Sequence, residues 1–182
     1  MPMELDLQQK DAWIREMTTF VTHAKWGGRL ILPPKSMDKV KPLYKWLTTE
    51  TTDSPTQTNC MEALLVAGAK ADLWGKDYVE EAVKTSKSKQ NESETSGVTK
   101  LAKFMFRHGL QVGTSTIIPI GSILMFGDWG DHFVLTKGDS SILELDSKDQ
   151  GENTIDGVKQ RYSNKPIFVS APPTLDELKG IG

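Results

Sequence analysis

Cysteine and net charge are the two scarcest features of this chain. Its 182 residues include one cysteine, Cys60, which excludes an internal disulfide, a disulfide-stabilised secreted fold and a zinc site built from several cysteines. The charge is nearly balanced, with 22 Lys and Arg against 24 Asp and Glu. No basic excess is present to neutralise phosphates, so we expect no nucleic-acid partner.

Long apolar runs are also missing. No stretch approaches the roughly 20 apolar residues that a membrane-spanning helix needs, so we expect no membrane span. Residues 1–17 carry early acidic residues and lack the apolar run of a secretory signal peptide. We therefore expect synthesis in the reducing cytoplasm. Export by a dedicated secretion apparatus would not need such a signal.

The order of apolar patterns predicts an α+β fold, with helices first and antiparallel strands after them. Helical patterns cover 5–26, 38–47, 60–73, 75–85 and 98–108. Strand patterns at 122–126, 132–136 and 141–146 are separated by short turns, which predicts an antiparallel meander. A short helix near 154–162 and a strand at 167–169 complete the prediction.

The length of the chain suits one domain, which we assign to residues 1–182. Within it we expect an N-terminal helical extension at 1–55, a catalytic core at 56–171 and a flexible tail at 172–182. A short extended piece is predicted at 29–32. Residues 86–97 have no apolar side chain, which is typical of an exposed loop.

Cys60 is the first candidate for chemistry because it begins a predicted helix, with Asn59 or Thr58 as the N-cap. The free N–H groups and the dipole at a helix N-terminus favour a thiolate, which is the nucleophilic form of cysteine. The same amides could hold the oxyanion that forms when a carbonyl is attacked. The alternative is a buried cysteine that only packs.

His132 is the candidate base for this thiol. It begins a predicted strand just after the turn GDWGD, where its imidazole could project from the sheet toward a packed helix and take the thiol proton. The alternative is a histidine with a local structural role. His23 lies in the first helix and His108 precedes a helix-ending glycine, so we assign catalysis to neither.

A carboxylate is expected to orient the imidazole and set its tautomer. Asp146 is the first choice because it ends the strand after the His132 strand, and adjacent antiparallel strands place such positions side by side. Glu144 lies on the same face and is the second choice. Asp131 would point to the opposite side of the strand. Solvation of the strand end is the alternative role for Asp146.

Three further side chains are candidates for oxyanion or substrate binding. Gln57 and Asn59 precede Cys60, and either amide could donate to an oxyanion. Capping of the helix is the favoured alternative for Asn59. Trp129 lies in the turn before His132, where it could wall a cleft or simply anchor the turn.

Three segments together resemble papain-like cysteine hydrolases of the CHAP and NlpC type. Residues 119–126 (PIGSILMF) and 131–135 (DHFVL) are similar to the Gly-Asp-hydrophobic-Phe and His-Val strands of those families. Residues 58–65 (TNCMEALL) resemble the nucleophile helix of papain-like modules in bacterial toxins. The match spans roughly residues 55–148, about half of the chain.

The resemblance implies a papain-like fold and hydrolysis of an amide bond by a Cys60, His132 and Asp146 triad without a cofactor. The substrate would be a protein or peptide, and the enzyme a peptidase, a cell-wall peptide amidase or a protein glutamine deamidase. A toxin or effector of this kind implies an inhibitor or immunity protein as a partner. The alternative is a non-catalytic protein-interaction module in which Cys60 and His132 are structural.

Overall fold

The structure is a computed structural model, and it describes residues 2–27, 42–49, 54–87, 102–103, 105–127 and 130–180. The helices in these ranges are α1 (Leu7–His23), α2 (Pro42–Thr48), α3 (Cys60–Lys70), α4 (Lys76–Lys87), α5 (Ile155–Arg161) and α6 (Leu175–Leu178). The strands are β1 (Lys25–Trp26), β2 (Gln57–Thr58), β3 (Leu110–Gln111), β4 (Ile123–Phe126), β5 (His132–Gly138), β6 (Ser141–Leu145), β7 (Gln150–Thr154) and β8 (Ile167–Ser170).

Six of these strands form an antiparallel sheet in the order β3-β8-β4-β5-β6-β7, while β1 and β2 form a separate parallel pair. The antiparallel pairing of β4 with β5 and of β5 with β6 confirms the predicted meander. The fold class is therefore α+β. Strand β7 was not predicted because its sequence, QGENT, has no apolar alternation, and as an edge strand it buries little of either face.

The sheet separates two hydrophobic cores. Alternate residues along β4 and β5 face opposite sides, as the pleat of a strand requires. Met125 and Phe133 join the larger core, which helices α1, α3 and α4 share. Leu124 and Val134 join a smaller core with Val158 of α5. Helix α3, which begins at the candidate nucleophile, therefore belongs to the larger core.

Helix α1 is part of the larger core, although the sequence assigns it to an N-terminal extension. Trp13 and Met17 have no exposed surface, and α1 packs against α3 and against β5, β6 and β7. The helix begins at Leu7 because Asp6 forms a capping box with Gln9. Within the described residues, α1 and the predicted core at 56–171 therefore form one folded unit.

Aromatic side chains hold α3 in place from two directions. The indole N–H of Trp13 donates to the main-chain oxygen of Leu64 at 3.1 Å, and that of Trp74 donates to Leu65 at 2.9 Å. The two indoles meet edge to face at 5.4 Å, and Trp74 stacks on Tyr78 at 4.5 Å. These contacts fix the position of the helix that carries Cys60.

The C-terminal segment differs from the flexible tail that the sequence predicts. Pro172 accepts a hydrogen bond from the Met3 main-chain N–H at 2.8 Å, and Pro173 accepts one from the Tyr78 hydroxyl at 2.7 Å. Thr174 caps α6, and Leu178 is buried in the larger core. Residues 172–180 are held because these contacts satisfy their polar groups and bury their apolar ones.

Several expectations lie wholly or partly outside the described residues. They are the extended piece at 29–32, residues 38–41 of the predicted helix at 38–47, residues 88–97 of the predicted polar loop, and part of the predicted helix at 98–108. The first two residues of that loop, 86–87, belong to α4 instead. Among the helices that the structure does describe, none combines the length and the apolar character that crossing a membrane would require.

We expect Gly68→Ala to destabilise the protein. A Cβ at Gly68 would lie 1.9 Å from Cζ2 of Trp74. The overpacking, typically ~1–3 kcal/mol, should outweigh the ~1 kcal/mol by which Ala favours a helix over Gly. Gly113→Ala is the matched control, because its Cβ would meet only Thr116 Oγ1, at 3.7 Å. Urea unfolding followed by tryptophan fluorescence measures the stability of both variants. A Gly68→Ala variant as stable as the wild type would contradict the described packing of Trp74 against α3.

Candidate active site

Cys60 is the first residue of α3, as the sequence predicts. Asn59, not Thr58, is the N-cap: its side chain accepts from the Glu62 N–H at 2.8 Å, and the Glu62 carboxylate accepts from the Asn59 N–H at 2.9 Å. This capping box defines where the helix begins. It leaves Cys60, which is partly buried, in the first turn, where main-chain N–H groups have no partner within the helix.

His132 begins β5 and is fully buried. It pairs with Phe126 of β4, and helix α3 packs against β5. His132 and Cys60 are 72 positions apart in the sequence, so their meeting depends entirely on this packing.

The acid that binds His132 is Glu144. Its Oε1 lies 2.7 Å from His132 Nε2, whereas Oδ2 of Asp146 lies 3.9 Å away. Leu135 pairs with Leu143, and counting three residues from this pair along each chain brings His132 level with Asp146, the residue after β6. Glu144 is the diagonal neighbour, and its longer side chain reaches the imidazole while the shorter Asp146 does not.

Cys60 and the two acids together set the charge of the imidazole. Burial alone would lower the pKa of His132, but hydrogen bonding by Cys60 and Glu144 and the charges of Cys60 and Asp146 raise it to about 9. Because Nε2 is bonded to Glu144, Nδ1 is the nitrogen left for the thiol. Nδ1 has no hydrogen-bond partner in the described part, so it is open to a proton from a nearby thiol.

Arg161 and Tyr162 complete the buried network, and sequence reasoning missed both. Arg161 donates to Glu144 Oε1 at 2.8 Å, to Glu144 Oε2 at 2.6 Å and to Asp146 Oδ2 at 2.8 Å. The Tyr162 hydroxyl donates to Asp146 Oδ2 at 2.6 Å. They come from the end of α5, whose sequence shows only a helix ending in a basic residue, a common pattern at helix C-termini.

The two acids are ionised in this network. Burial tends to raise the pKa of Glu144, but hydrogen bonds and charges of His132 and Arg161 lower it. Burial has the same effect on Asp146, and hydrogen bonds from Tyr162, Ser147 and Arg161 and the charge of His132 lower its pKa. Each carboxylate therefore faces a cation, which is the condition for burying charge at acceptable cost.

Two of the three predicted substrate-binding residues are described. The Gln57 side chain is exposed, and its amide donates to the Trp26 main-chain oxygen at 3.3 Å. Asn59 caps α3 through its side-chain oxygen, while its buried Nδ2 has no hydrogen-bond partner in the described part. A free donor therefore lies next to Cys60 on Asn59, and the donor of Gln57 is already used. Trp129 lies outside the described residues.

The site does not favour a metal ion. His132, Glu144 and Asp146 form the one group in the described ranges whose ligand atoms are close enough to share an ion. Arg161 already donates to both carboxylates, so its guanidinium occupies the place where a cation would be held.

The other two histidines lie elsewhere, in agreement with the sequence analysis. His23 is the exposed last residue of α1. His108 binds Glu177, with 2.6 Å between its Nε2 and Oε2 of the carboxylate.

No protein-family model, no curated protein and no solved structure matches this chain. The papain-like resemblance therefore stays a prediction. The described contacts are a thiol at a capped helix N-terminus and a buried imidazole that Glu144 binds.

We expect Arg161→Gln to lower the free energy of unfolding by ~3 kcal/mol or more, because it leaves two buried carboxylates facing one imidazole. The Arg161 side chain is 17% exposed and Glu144 is 0% exposed, so solvent screens the pair little. Lys137→Gln is the control: it breaks an exposed pair with Glu152 and should cost less than ~1 kcal/mol. If Arg161→Gln and Lys137→Gln lose the same free energy of unfolding in urea, this would contradict a buried charge network around Arg161.

The protonation of His132 should make stability fall in alkaline solution. Its folded pKa of about 9 exceeds the ordinary value of 6.5, so the folded state holds the proton more tightly. The resulting stabilisation is fully present below about pH 6.5 and is lost as the pH rises through about 9. His132→Gln should lack this component. The test is the free energy of unfolding in urea, measured for the wild type and His132→Gln across this pH range. If the free energies of the two proteins change with pH in the same way, His132 does not contribute this stabilisation.

Proposed function

We propose that this chain is a thiol-dependent hydrolase of amide bonds, with Cys60 as the nucleophile and His132 as the general base and acid. One observation carries the proposal: the only cysteine of the chain begins a capped helix and interacts electrostatically with an imidazole that a buried carboxylate holds. A cysteine that only packs in a core does not need a charged imidazole beside it.

Each group has a role in the proposed reaction. His132 takes the Cys60 proton, and the thiolate attacks the carbonyl carbon of the amide. The Cys60 main-chain N–H and the free Nδ2 of Asn59 steady the oxyanion. Protonated His132 then gives its proton to the departing amine, leaving a thioester on Cys60. Water, deprotonated by His132, hydrolyses the thioester to a carboxylic acid and restores the thiol.

Glu144 is the orienting acid in this proposal, in place of Asp146. Its hydrogen bond at Nε2 leaves Nδ1 for the thiol and stabilises the imidazolium. Asp146 supports the arrangement indirectly, since it binds Arg161 and Tyr162. The papain-like fold, and a peptide, cell-wall peptide or protein glutamine as substrate, follow from the resemblance and belong to the proposal.

A non-catalytic interaction module is the second candidate. The observation that favours it is the complete burial of His132, together with an ion network that would stabilise the fold without any chemistry. In that case the thiol would react like an ordinary cysteine, and its loss would leave the function of the protein unchanged.

Alkylation of Cys60 by iodoacetamide separates these two candidates. Cys60 is the only cysteine, so the intact mass reports its modification alone. We expect the wild type at pH 6 to react ~10-fold or more faster than His132→Gln, because the imidazolium stabilises the thiolate. His23→Gln removes an exposed histidine from the end of α1 and should react like the wild type. Equal alkylation rates for the wild type and His132→Gln would contradict the catalytic proposal.

Turnover is tested on candidate proteins and cell-wall peptides by mass spectrometry, which detects both cleavage and deamidation. Cys60→Ala should abolish either product, and added hydroxylamine should trap the acyl group of a thioester as a hydroxamate. Product formation by Cys60→Ala at the wild-type rate would remove Cys60 from the mechanism.

A further inference from the structure

Tyr162 occupies a defined position directly after α5. It is the C-cap residue of that helix, and its main-chain N–H donates to the Val158 oxygen at 3.0 Å. Val158 is buried in the smaller core. The main chain therefore holds Tyr162 against the face of the sheet from which His132 projects.

The ring of Tyr162 stacks on the imidazole of His132. The ring centroids are 5.0 Å apart and the planes differ by 10°. Phe126 lies 6.3 Å from each of these two rings, tilted by 34° to His132 and 33° to Tyr162. The imidazole thus has a flat partner and a tilted one, and the flat partner is the closer of the two.

The hydroxyl of Tyr162 anchors the far end of its ring. It donates to Asp146 Oδ2 at 2.6 Å, and the Arg161 guanidinium lies 5.9 Å from the ring centroid. Burial and the hydrogen bond to Asp146 raise the pKa of the phenol, so the hydroxyl keeps its proton and stays a donor. The stacked ring is consequently held at two points, the main chain and the hydroxyl.

A single hydrogen bond does not fix the orientation of the imidazole ring of His132. The bond from Nε2 to Glu144 locates one nitrogen, but the ring can still tilt about that contact and move Nδ1. A flat ring packed on its face removes this freedom. The thiol of Cys60 needs Nδ1 in a particular place, because proton transfer requires hydrogen-bond reach.

We propose that Tyr162 is a positioning residue for His132, holding the imidazole plane so that Nδ1 faces Cys60. This inference rests on the proposed function. The charged and titratable groups around the imidazole are Cys60 from α3, Glu144 from β6, Asp146 directly after β6, and Arg161 and Tyr162 from the end of α5. Of these, Tyr162 is the group that covers a face of the ring.

The test uses substitutions of Tyr162 and of a matched tyrosine. Tyr162→Phe keeps the stacked ring and loses the hydroxyl, while Tyr162→Leu loses both; Tyr162→Met is the substitute should Tyr162→Leu fail to fold. Tyr78 is the control because it is buried, stacks on Trp74 and donates its hydroxyl to Pro173. Tyr78→Phe keeps the ring on Trp74 and loses only the hydrogen bond to Pro173, so it should lower stability without affecting Cys60.

Two measurements are made on each folded variant: the iodoacetamide alkylation rate of Cys60 from pH 5 to 9, and the ring ¹⁵N resonances of His132, identified by their absence in His132→Gln. We expect Tyr162→Leu to react ~10-fold more slowly than the wild type at pH 6, a part of the 10²–10⁴-fold that a positioned base supplies. Its His132 resonances should also shift, while Tyr162→Phe stays within a few-fold of the wild-type rate.

The outcomes separate the inference from the proposed function. Unchanged His132 resonances and an unchanged alkylation profile in Tyr162→Leu would overturn the positioning role and leave Tyr162 as a packing residue. If alkylation of the wild type does not depend on His132 but the resonances shift in Tyr162→Leu, the proposed function fails while the control of the imidazole by Tyr162 stands. A loss of rate in Tyr78→Phe equal to that in Tyr162→Leu would also overturn the inference.

Discussion

The hydrogen bond between His132 and Glu144 is the contact on which the candidate site depends. It places a buried imidazole against a buried carboxylate, an arrangement that is stable only if the charges balance. Asp146 adds a second negative charge, and Arg161 contacts both acids. With His132 protonated, two cations meet two anions. The network therefore favours the imidazolium, which is the partner that a thiolate at Cys60 requires.

A helix positions Cys60, and the sheet positions His132. Cys60 is placed by α3, which Trp13 and Trp74 bind through main-chain oxygens in the middle of the helix. His132 is placed by β5 and by the side chains that reach it from β6 and α5. Helix α3 belongs to the larger core, whereas the imidazole shares the face of β5 that carries Val134 of the smaller core. A shift of α3 relative to the sheet would separate Cys60 from His132 without breaking any bond in the charge network.

The acid that binds His132 could be predicted only in part from strand alternation. Strand alternation put Glu144 and Asp146 on one face, and both lie beside His132. The choice between them depended on side-chain length, because the carboxylate of Glu144 reaches diagonally across the strand pair while that of Asp146 turns to Tyr162 and Arg161. Arg161 and Tyr162 gave no signal in the sequence, since their function comes from where α5 ends relative to β6.

Local patterns in the sequence predict the helix that begins at Cys60, the meander from β4 to β6 and the nearness of His132 to Glu144 and Asp146. Caps, strand alternation and short turns are local, so neighbouring residues encode them. Strand β7 and the partners of Gln57 are not predicted because their residues lack a local pattern. The anchoring of the C-terminal segment is not predicted because its partners, Met3 and Tyr78, are distant in the sequence. Which acid binds His132 and what covers the imidazole depend on contacts between segments that approach one another after the core has packed, so these features follow from the tertiary structure.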